Sequence, residues 1–477
     1  MSRVFSLVML GVSLVATSAA MVLGTSDAVP YFGSTSPFLT FGGSPSHATV
    51  VFLTWFAAIS GGAGTLTGLH AARRERFVSP VRLLLAGAVA ALVLALLPPA
   101  GSVDMLNYAI YGRITDLGRD PYSTTPFLLS RTGDPVGVLL PSGWQRVPTV
   151  YGPITTAVQW GAAHLGGNSM AHILFLLKWG NAVAFVATGV VLDRLVGARH
   201  RVRACLLWTL NPIMLFWMVG SGHADVYAVF FLVLALWAMR RSAFLAGLSG
   251  GAAAAVKASF LFPAAALVLV AWFGVSRVRR AGSAALGVLL VAGGGYLLAG
   301  PSAIHSLSTR LGRKEDRYLP VPDYVLNHFY GVWMLLLAVA LVAFLWWRSG
   351  LPFAIWQRAS AGPLPVVAVA FGTTLVSPLQ YPWYDAMLLP LLALVPYERL
   401  DGFVVIRGVV LGVMTLPGVR VSGYQHLGVR WVDLAWLAVF VVAVWRCSRP
   451  RSTPPVVAAP GLVSVGGGGS GRPAGER

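Results

Sequence analysis

The chain has 477 residues, 56% of them hydrophobic and 11% charged, with a formal net charge of +19. Soluble domains carry roughly 25% charged residues, so this composition excludes an ordinary soluble enzyme. Apolar runs of spanning length recur along most of the chain and no alternating short segments do, which predicts an all-α, polytopic membrane protein rather than a β-barrel.

In chain order the apolar runs predict about fourteen spans (12–14), near 4–24, 48–70, 81–98, 170–194, 204–219, 224–240, 243–257, 259–275, 282–299, 330–347, 363–378, 383–397, 403–417 and 430–446. The first run also fits a signal peptide with Ser18-Ala19-Ala20 as its small residues, and an uncleaved anchor suits the later topology better. The pair between 243 and 275 is rich in Gly and Ala and broken around Lys257 and Pro263, as two short helices or one re-entrant pair.

Basic clusters follow alternate spans: Arg73-Arg74-Glu75-Arg76, Arg199 to Arg203, Arg240-Arg241, Arg277 to Arg280, Arg348, Arg399 and Arg446 to Arg451. With the N-terminus inside, about 23 of the 35 Lys and Arg and about 5 of the 16 acids fall on the cytoplasmic side. That is the positive-inside pattern, and it explains the basicity without nucleic acid. Both termini are then cytoplasmic, and the protein is a multi-pass cell-membrane protein. The two cysteines, Cys205 and Cys447, fall near cytoplasmic helix ends, which argues against a disulfide. Residues 1–447 read as one integral membrane domain, with 99–169 as an extracytoplasmic catalytic loop. The tail 448–477, rich in Pro, Gly and Ser, reads as disordered.

The 99–169 loop is too long and too patterned for a connector. Its 106–117 segment repeats apolar residues at helical spacing, which predicts an amphipathic helix on the membrane surface. Just past Pro98-Pro99 stands Asp104. A partly desolvated carboxylate there suits a general base toward a sugar hydroxyl, and a helix N-cap is the plain structural alternative. Tyr108, Arg113, Asp120-Pro121-Tyr122, Trp144 and Tyr151-Gly152-Pro153 add aromatic faces and hydrogen-bonding groups for a sugar, or an interfacial aromatic belt with turn prolines.

Further on, Gly222-His223-Ala224-Asp225 places two ionisable groups at a membrane boundary, where function is the default expectation and an ion pair or helix cap is the plain structural alternative. A His-x-Asp pair supplies two metal ligands, and two make no site, so a divalent metal stays an open question. Lys257 has no acid near it in sequence and suits a phosphate at the membrane surface, or snorkelling. Arg310, Arg313, Lys314 and Arg317 fall outside against the charge pattern, beside Glu315 and Asp316, as an anionic-ligand site or a solvated cluster. Gln380-Tyr381-Pro382-Trp383-Tyr384-Asp385 adds an aromatic–acid cluster, in which Gln380 and Tyr384 complete a sugar site or anchor a helix pair.

Together, Pro98-Pro99, Ser102, Asp104, Tyr108-Ala109, Gly112, Gly118, Asp120-Pro121-Tyr122, Pro126, Trp144, Tyr151-Gly152-Pro153, Asn211-Pro212, Gly222-His223, Asp225 and Lys257 make a pattern. It resembles the polyprenol-phosphate-mannose-dependent alpha-(1->6)-mannosyltransferases of actinobacteria, in the GT-C superfamily. The resemblance covers roughly 95–265, with Ala224 where Asn is expected and Asn107 where Ser is expected. It implies a GT-C-like fold and a mannosyl donor on a polyprenyl phosphate, without a nucleotide. It also implies inverting transfer to a glycan or glycolipid acceptor on the outer face, with Asp104 as base. Lys257, Arg113, His223 or the Arg310–Arg317 loop would meet the leaving phosphate. The competing readings are a related arabinosyl- or glucosyltransferase, a lipid or sugar transporter or flippase, and a non-catalytic envelope subunit. Polar residues gathered at one face favour surface chemistry over transport.

Overall fold

The computed structural model describes residues 2–74, 77–273, 276–311, 330–349, 362–377, 380–417 and 429–446. Helix makes up 74% and no strand occurs among the described residues. Four helices are long and apolar enough to cross a membrane: Ser2–Val22, His47–Arg74, Met170–Leu195 and Arg277–Ala299. A bent pair, Ala198–Leu207 with Pro212–Gly220, makes up to five. Pro80–Leu96, Asp225–Ala238, Ala243–Val256, Ala258–Trp272, Val332–Trp347 and Leu364–Leu375 are shorter apolar helices.

Helices α1 (Ser2–Val22) and α2 (His47–Arg74) run against each other through small residues. Ser6 Oγ donates to the Gly64 carbonyl and Ser13 Oγ to that of Ala57, each at 2.7 Å. Lipid offers helices no hydrophobic drive to associate, so close backbone approach and interhelical hydrogen bonds hold such pairs. Helix α3 (Pro80–Leu96) begins at a proline, where a missing N–H costs nothing, and stops before Pro98-Pro99. Its last carbonyls, Leu97 and Pro98, accept from Lys178 Nζ at 2.6 and 3.3 Å. Lys178 is fully buried in α7 (Met170–Leu195), and the carbonyls just past the end of α3 are what accept its hydrogen bonds.

Between them lie α4 (Asp104–Asp116), α5 (Pro126–Ser130), a 3-10 turn at Gly137–Leu139 and α6 (Pro153–Gly166). Helix α4 departs from the expected surface helix: Met105 through Gly112 are all buried. Helices α6 and α7 and the 119–150 segment cover it on several sides, so its polar residues face protein rather than water.

Helix α8 (Arg201–Leu207) and α9 (Pro212–Leu215) meet at a 52° bend. Pro212 cannot continue the hydrogen-bond ladder, and Asn211 Oδ1 caps the new start by accepting from Ile213 N at 3.1 Å. A π turn, Phe216–Gly220, follows, then α10 (Asp225–Ala238) and α11 (Ala243–Val256). The expected pair across 243–275 resolves into two helices: α11 ends at Lys257 in extended backbone, and α12 (Leu261–Trp272) follows a 3-10 turn. Then come α13 (Arg277–Val288), α14 (Gly294–Ala299), α15 (Pro301–Leu311), α16 (Tyr330–Ser349) and α17 (Leu364–Leu375). The expected span at 383–397 is instead a 3-10 turn, Pro382–Met387, and a short α18 (Leu389–Leu392), interrupted by Pro390. Helices α19 (Arg399–Thr415) and α20 (Val429–Trp445) close the described chain. The side chains of Arg310, Arg313, Lys314 and Arg317, and the tail 448–477, lie outside the described residues.

Away from Asp104, near the start of α3, Arg203 clamps Asp401 through two bonds of 2.8 and 2.7 Å and donates to the Val395 carbonyl at 2.8 Å. Arg73 joins Glu398 at 2.8 Å. These contacts tie the ends of α2, α8 and α19 together.

Helix α4 reaches α6 where Gly112 lies on the Gln159 carbonyl, and a Cβ there would stand 2.1 Å from that oxygen. Gly112→Ala is expected to cost about 1–3 kcal/mol by overpacking, seen as a lower thermal midpoint of the purified protein. An unchanged midpoint would contradict this packing.

Candidate active site

Asp104 is the first residue of α4, with Val103 in the capping position. Its backbone N–H donates to Ser102 Oγ at 3.1 Å. The carboxylate caps no helix. Instead Oδ2 faces His223 Nδ1 at 3.7 Å, with its side chain 18% exposed against 1% for His223. This geometry disfavours the N-cap explanation for the residue.

His223 arrives there because the chain turns sharply out of the π turn. Gly222 has φ +81°, a left-handed value, and packs on Met105, the neighbour of Asp104. Asn181 Nδ2 holds the loop through the Met218 and His223 carbonyls at 2.9 and 3.2 Å. On the imidazole's other side Nε2 lies 3.2 Å from Ser221 Oγ. Burial, then the Lys257 charge, push the His223 pKa well below its usual value, so the ring is neutral at physiological pH.

Lys257 comes from the break between α11 and α12. No acid is near it in sequence, and the fold supplies one: Asp225 Oδ1 receives its Nζ at 2.8 Å. The ammonium also sits 4.4 Å from the centre of the Tyr384 ring. Tyr151 is brought alongside by Gly152, whose N–H donates to the Val256 carbonyl at 2.9 Å while Thr155 Oγ1 donates to the same oxygen at 2.8 Å. A Cβ on Gly152 would meet the Ala255 carbonyl at 2.1 Å, so only glycine permits this docking. Tyr151 and Tyr108 share a hydroxyl–hydroxyl hydrogen bond of 2.8 Å, with ring centroids 4.9 Å apart. Burial, mainly, holds both phenols well above their usual pKa, which keeps them neutral.

Trp144 closes the group. Its backbone is left-handed at φ +62°, unusual for a bulky residue, and its side chain helps to lower the pKa of Asp104. Asn107, one turn along α4 from Asp104, donates to the Gly143 carbonyl at 3.4 Å and so holds that turn. Burial raises the Asp104 pKa to about 6, with Asp225 adding to the rise and Lys257, Ser102 and Trp144 opposing it. Asn107 Oδ1, His223 Nδ1 and Asp225 Oδ2 are buried without a hydrogen-bond partner among the described residues. Such atoms call for a ligand or water. Among the described residues no three His, Cys, Asp or Glu side chains are placed to hold a metal.

The structure thus brings together Asp104, Tyr108, Trp144, Tyr151, His223, Asp225, Lys257 and Tyr384. It does not bring four other expected residues to them. Arg113 lies nine residues along α4, about 14 Å by helical rise, and bonds Asp134 at 2.9 Å, Asp116 at 3.2 Å and Asn168 at 2.7 Å. Asp120 closes its own turn, accepting from Tyr122 N and Ser123 Oγ, each at 2.9 Å. The Tyr122 hydroxyl meets Thr156 Oγ1 at 3.1 Å. Gln380 is held by the Leu375 and Ser377 carbonyls and by Arg407.

Residues 7–275 match the family of the alpha-(1->6)-mannopyranosyltransferase N-terminal domain. The chain belongs to this family. It is a membrane mannosyltransferase, and Asp104, Tyr108, Trp144, Tyr151, His223, Asp225 and Lys257 lie within the matched region, with Tyr384 beyond it. No curated protein and no solved structure matched the chain.

Sequence reasoning passed over Lys178, Asn181 and Arg407. An ionisable residue inside an apolar run was the available signal for Lys178 and Arg407. Nothing local distinguished Asn181.

Arg113→Met removes three bonds from a mostly buried network, and a loss of about 3 kcal/mol in stability is expected. Mannosyl transfer per folded molecule should stay within about threefold of wild type, since a group this far from Asp104 stabilises no charge developing there. A large loss of turnover with an unchanged thermal midpoint would contradict the placement.

Proposed function

We propose that this mannosyltransferase moves a mannosyl residue from a polyprenyl-phosphate donor to a glycan or glycolipid acceptor, on the outer face of the membrane and with inversion. The observation that carries this is the Asp104 carboxylate, partly exposed, with a pKa of about 6, beside a neutral histidine and a cation. A base poised near working pH both stays ionised and accepts a proton readily. Asp104 takes the proton of the acceptor hydroxyl as its oxygen bonds to the anomeric carbon. The bond from that carbon to the phosphate oxygen breaks, and its electron pair leaves with the lipid phosphate. Lys257, fixed by Asp225 and the Tyr384 ring, meets the charge growing on that phosphate. Tyr108, Tyr151, Trp144 and His223 offer rings and polar atoms to the sugars. Arg113, Asp120, Tyr122 and Gln380 support the scaffold around them.

The outer-face assignment rests on the basic clusters, which gather at the ends of the helices remote from Asp104. Lipid-borne donor and acceptor need no nucleotide at the site.

Membranes containing the protein should transfer radiolabelled mannose from polyprenyl-phosphate-mannose to a short mannoside. Asp104→Asn should cut that rate by about 10²–10⁴-fold at unchanged protein abundance. Undiminished transfer would sink the base assignment. Sidedness has its own test. Ser142→Cys, placed on an exposed residue in a background lacking Cys205 and Cys447, should react with an impermeant thiol reagent in intact cells. Labelling that appears only after lysis would invert the topology.

A further inference from the structure

Outside the family match, the segment Gln380–Met387 stands against the site. Its rings form a stack. Trp383 lies over His223 with centroids 3.9 Å apart and planes at 15°, and Tyr381 lies over Trp383 at 4.4 Å and 6°. Trp383 is buried inside the stack, while Tyr381 ends it half-exposed. His223 at the inner end faces Asp104 at 3.7 Å. Tyr384, from the same turn, meets Tyr381 edge-on at 5.8 Å and lies under the Lys257 ammonium.

The turn is pinned from behind. Arg407, fully buried in α19, donates to Asp385 through Nη1 and to Gln380 through Nη2. Gln380 Nε2 is committed to the Ser377 carbonyl at 2.7 Å and that of Leu375 at 3.3 Å. The Gln380 amide therefore has no group free to read a sugar. A guanidinium inside an apolar helix persists only where its partners are held, so Arg407 and the turn fix each other.

We propose that this turn is a binding platform for a hexopyranose ring, with Tyr381 as the stacking face and Arg407 as the positioning residue that holds it. The inference rests on the mannosyl-transfer reading above and deepens it. A pyranose presents an apolar C–H face, and a half-exposed aromatic ring backed by two further rings is a rigid surface for it at low entropic cost. The stack leads from Tyr381 through Trp383 to His223, which faces Asp104, so a ring bound on Tyr381 lies two ring layers away from that histidine, as a neighbouring subsite. The half of the chain beyond the family match thereby contributes to sugar recognition.

The test uses the full-length protein in lipid nanodiscs. Tyr381→Leu is expected to raise the KM of one substrate about tenfold with kcat within about threefold, while Tyr381→Phe stays near wild type. A rise for the mannoside acceptor assigns the platform to the acceptor ring, and a rise for polyprenyl-phosphate-mannose assigns it to the donor mannose. Both uphold the platform. Two unchanged KM values, or equal loss in Tyr381→Phe, overturn it. The double variant Asp385→Leu/Arg407→Met, which leaves no unpaired buried charge, should raise the same KM and spare kcat. Wild-type KM in that variant overturns the role of Arg407. Quenching of tryptophan fluorescence by a mannoside, present in wild type and weakened in Tyr381→Leu, reads the platform without turnover. It thus holds even where a wild type that ignores the polyprenyl donor refutes the transfer reading. Equal quenching in both proteins counts against the platform.

Discussion

Lys257 and Asp225 meet at 2.8 Å beside Asp104, at the two points where the helical ladder is broken: the end of α11 and the start of α10. The consequences run outward from there. The ammonium holds the Asp104 pKa down while burial and Asp225 hold it up. Its charge also helps to keep His223 neutral. Without the ammonium, a carboxylate in this setting would bind its proton more firmly. The surrounding architecture serves the same constraint. Gly152 lets the 151–153 turn touch the end of α11, Gly222 turns His223 toward Asp104, and Lys178 fixes the carbonyls that lead into Ser102.

Much of this was legible in the chain, for identifiable reasons. Pro98-Pro99 ends a helix wherever it occurs, so an acid soon after it stands at a helix start, and Asp104 does. Asn211-Pro212 breaks the run expected as one span at 204–219, and the structure bends there. Lys257 stood out as an ionisable residue beside an apolar run, but its pairing did not, because its partner lies 32 positions away and only the folding of α10 against α11 joins them. Arg113 shows the opposite case. It shares a loop with Asp104, yet a continuous helix carries it to three partners of its own. Hydropathy failed for α4 because helical spacing of apolar residues does not distinguish a surface helix from one covered by α6 and neighbouring loop.

The two halves of the chain differ in what they contribute. Within the family match lie Asp104, His223, the Lys257–Asp225 ion pair and the paired phenols. Beyond it lie the aromatic turn and the buried arginine that anchors it. The candidate site is thus built mostly from the part shared with the family, with one wall from the remainder. The departures at Asn107 and Ala224 sit on the shared side. Asn107 holds the Trp144 turn through Gly143, and Ala224 leads into α10 directly before Asp225.

The pH dependence of kcat/KM for mannosyl transfer, compared between wild type and Lys257→Met, tests the central claim most directly. With Asp104 needed as the free carboxylate, the wild-type rate should rise through pH about 6 and level off above it. Removing the ammonium takes away a charge that lowers this pKa and leaves Asp225 raising it, so the ascending limb should move to higher pH. A limb that stays in place, or moves to lower pH, would contradict the account.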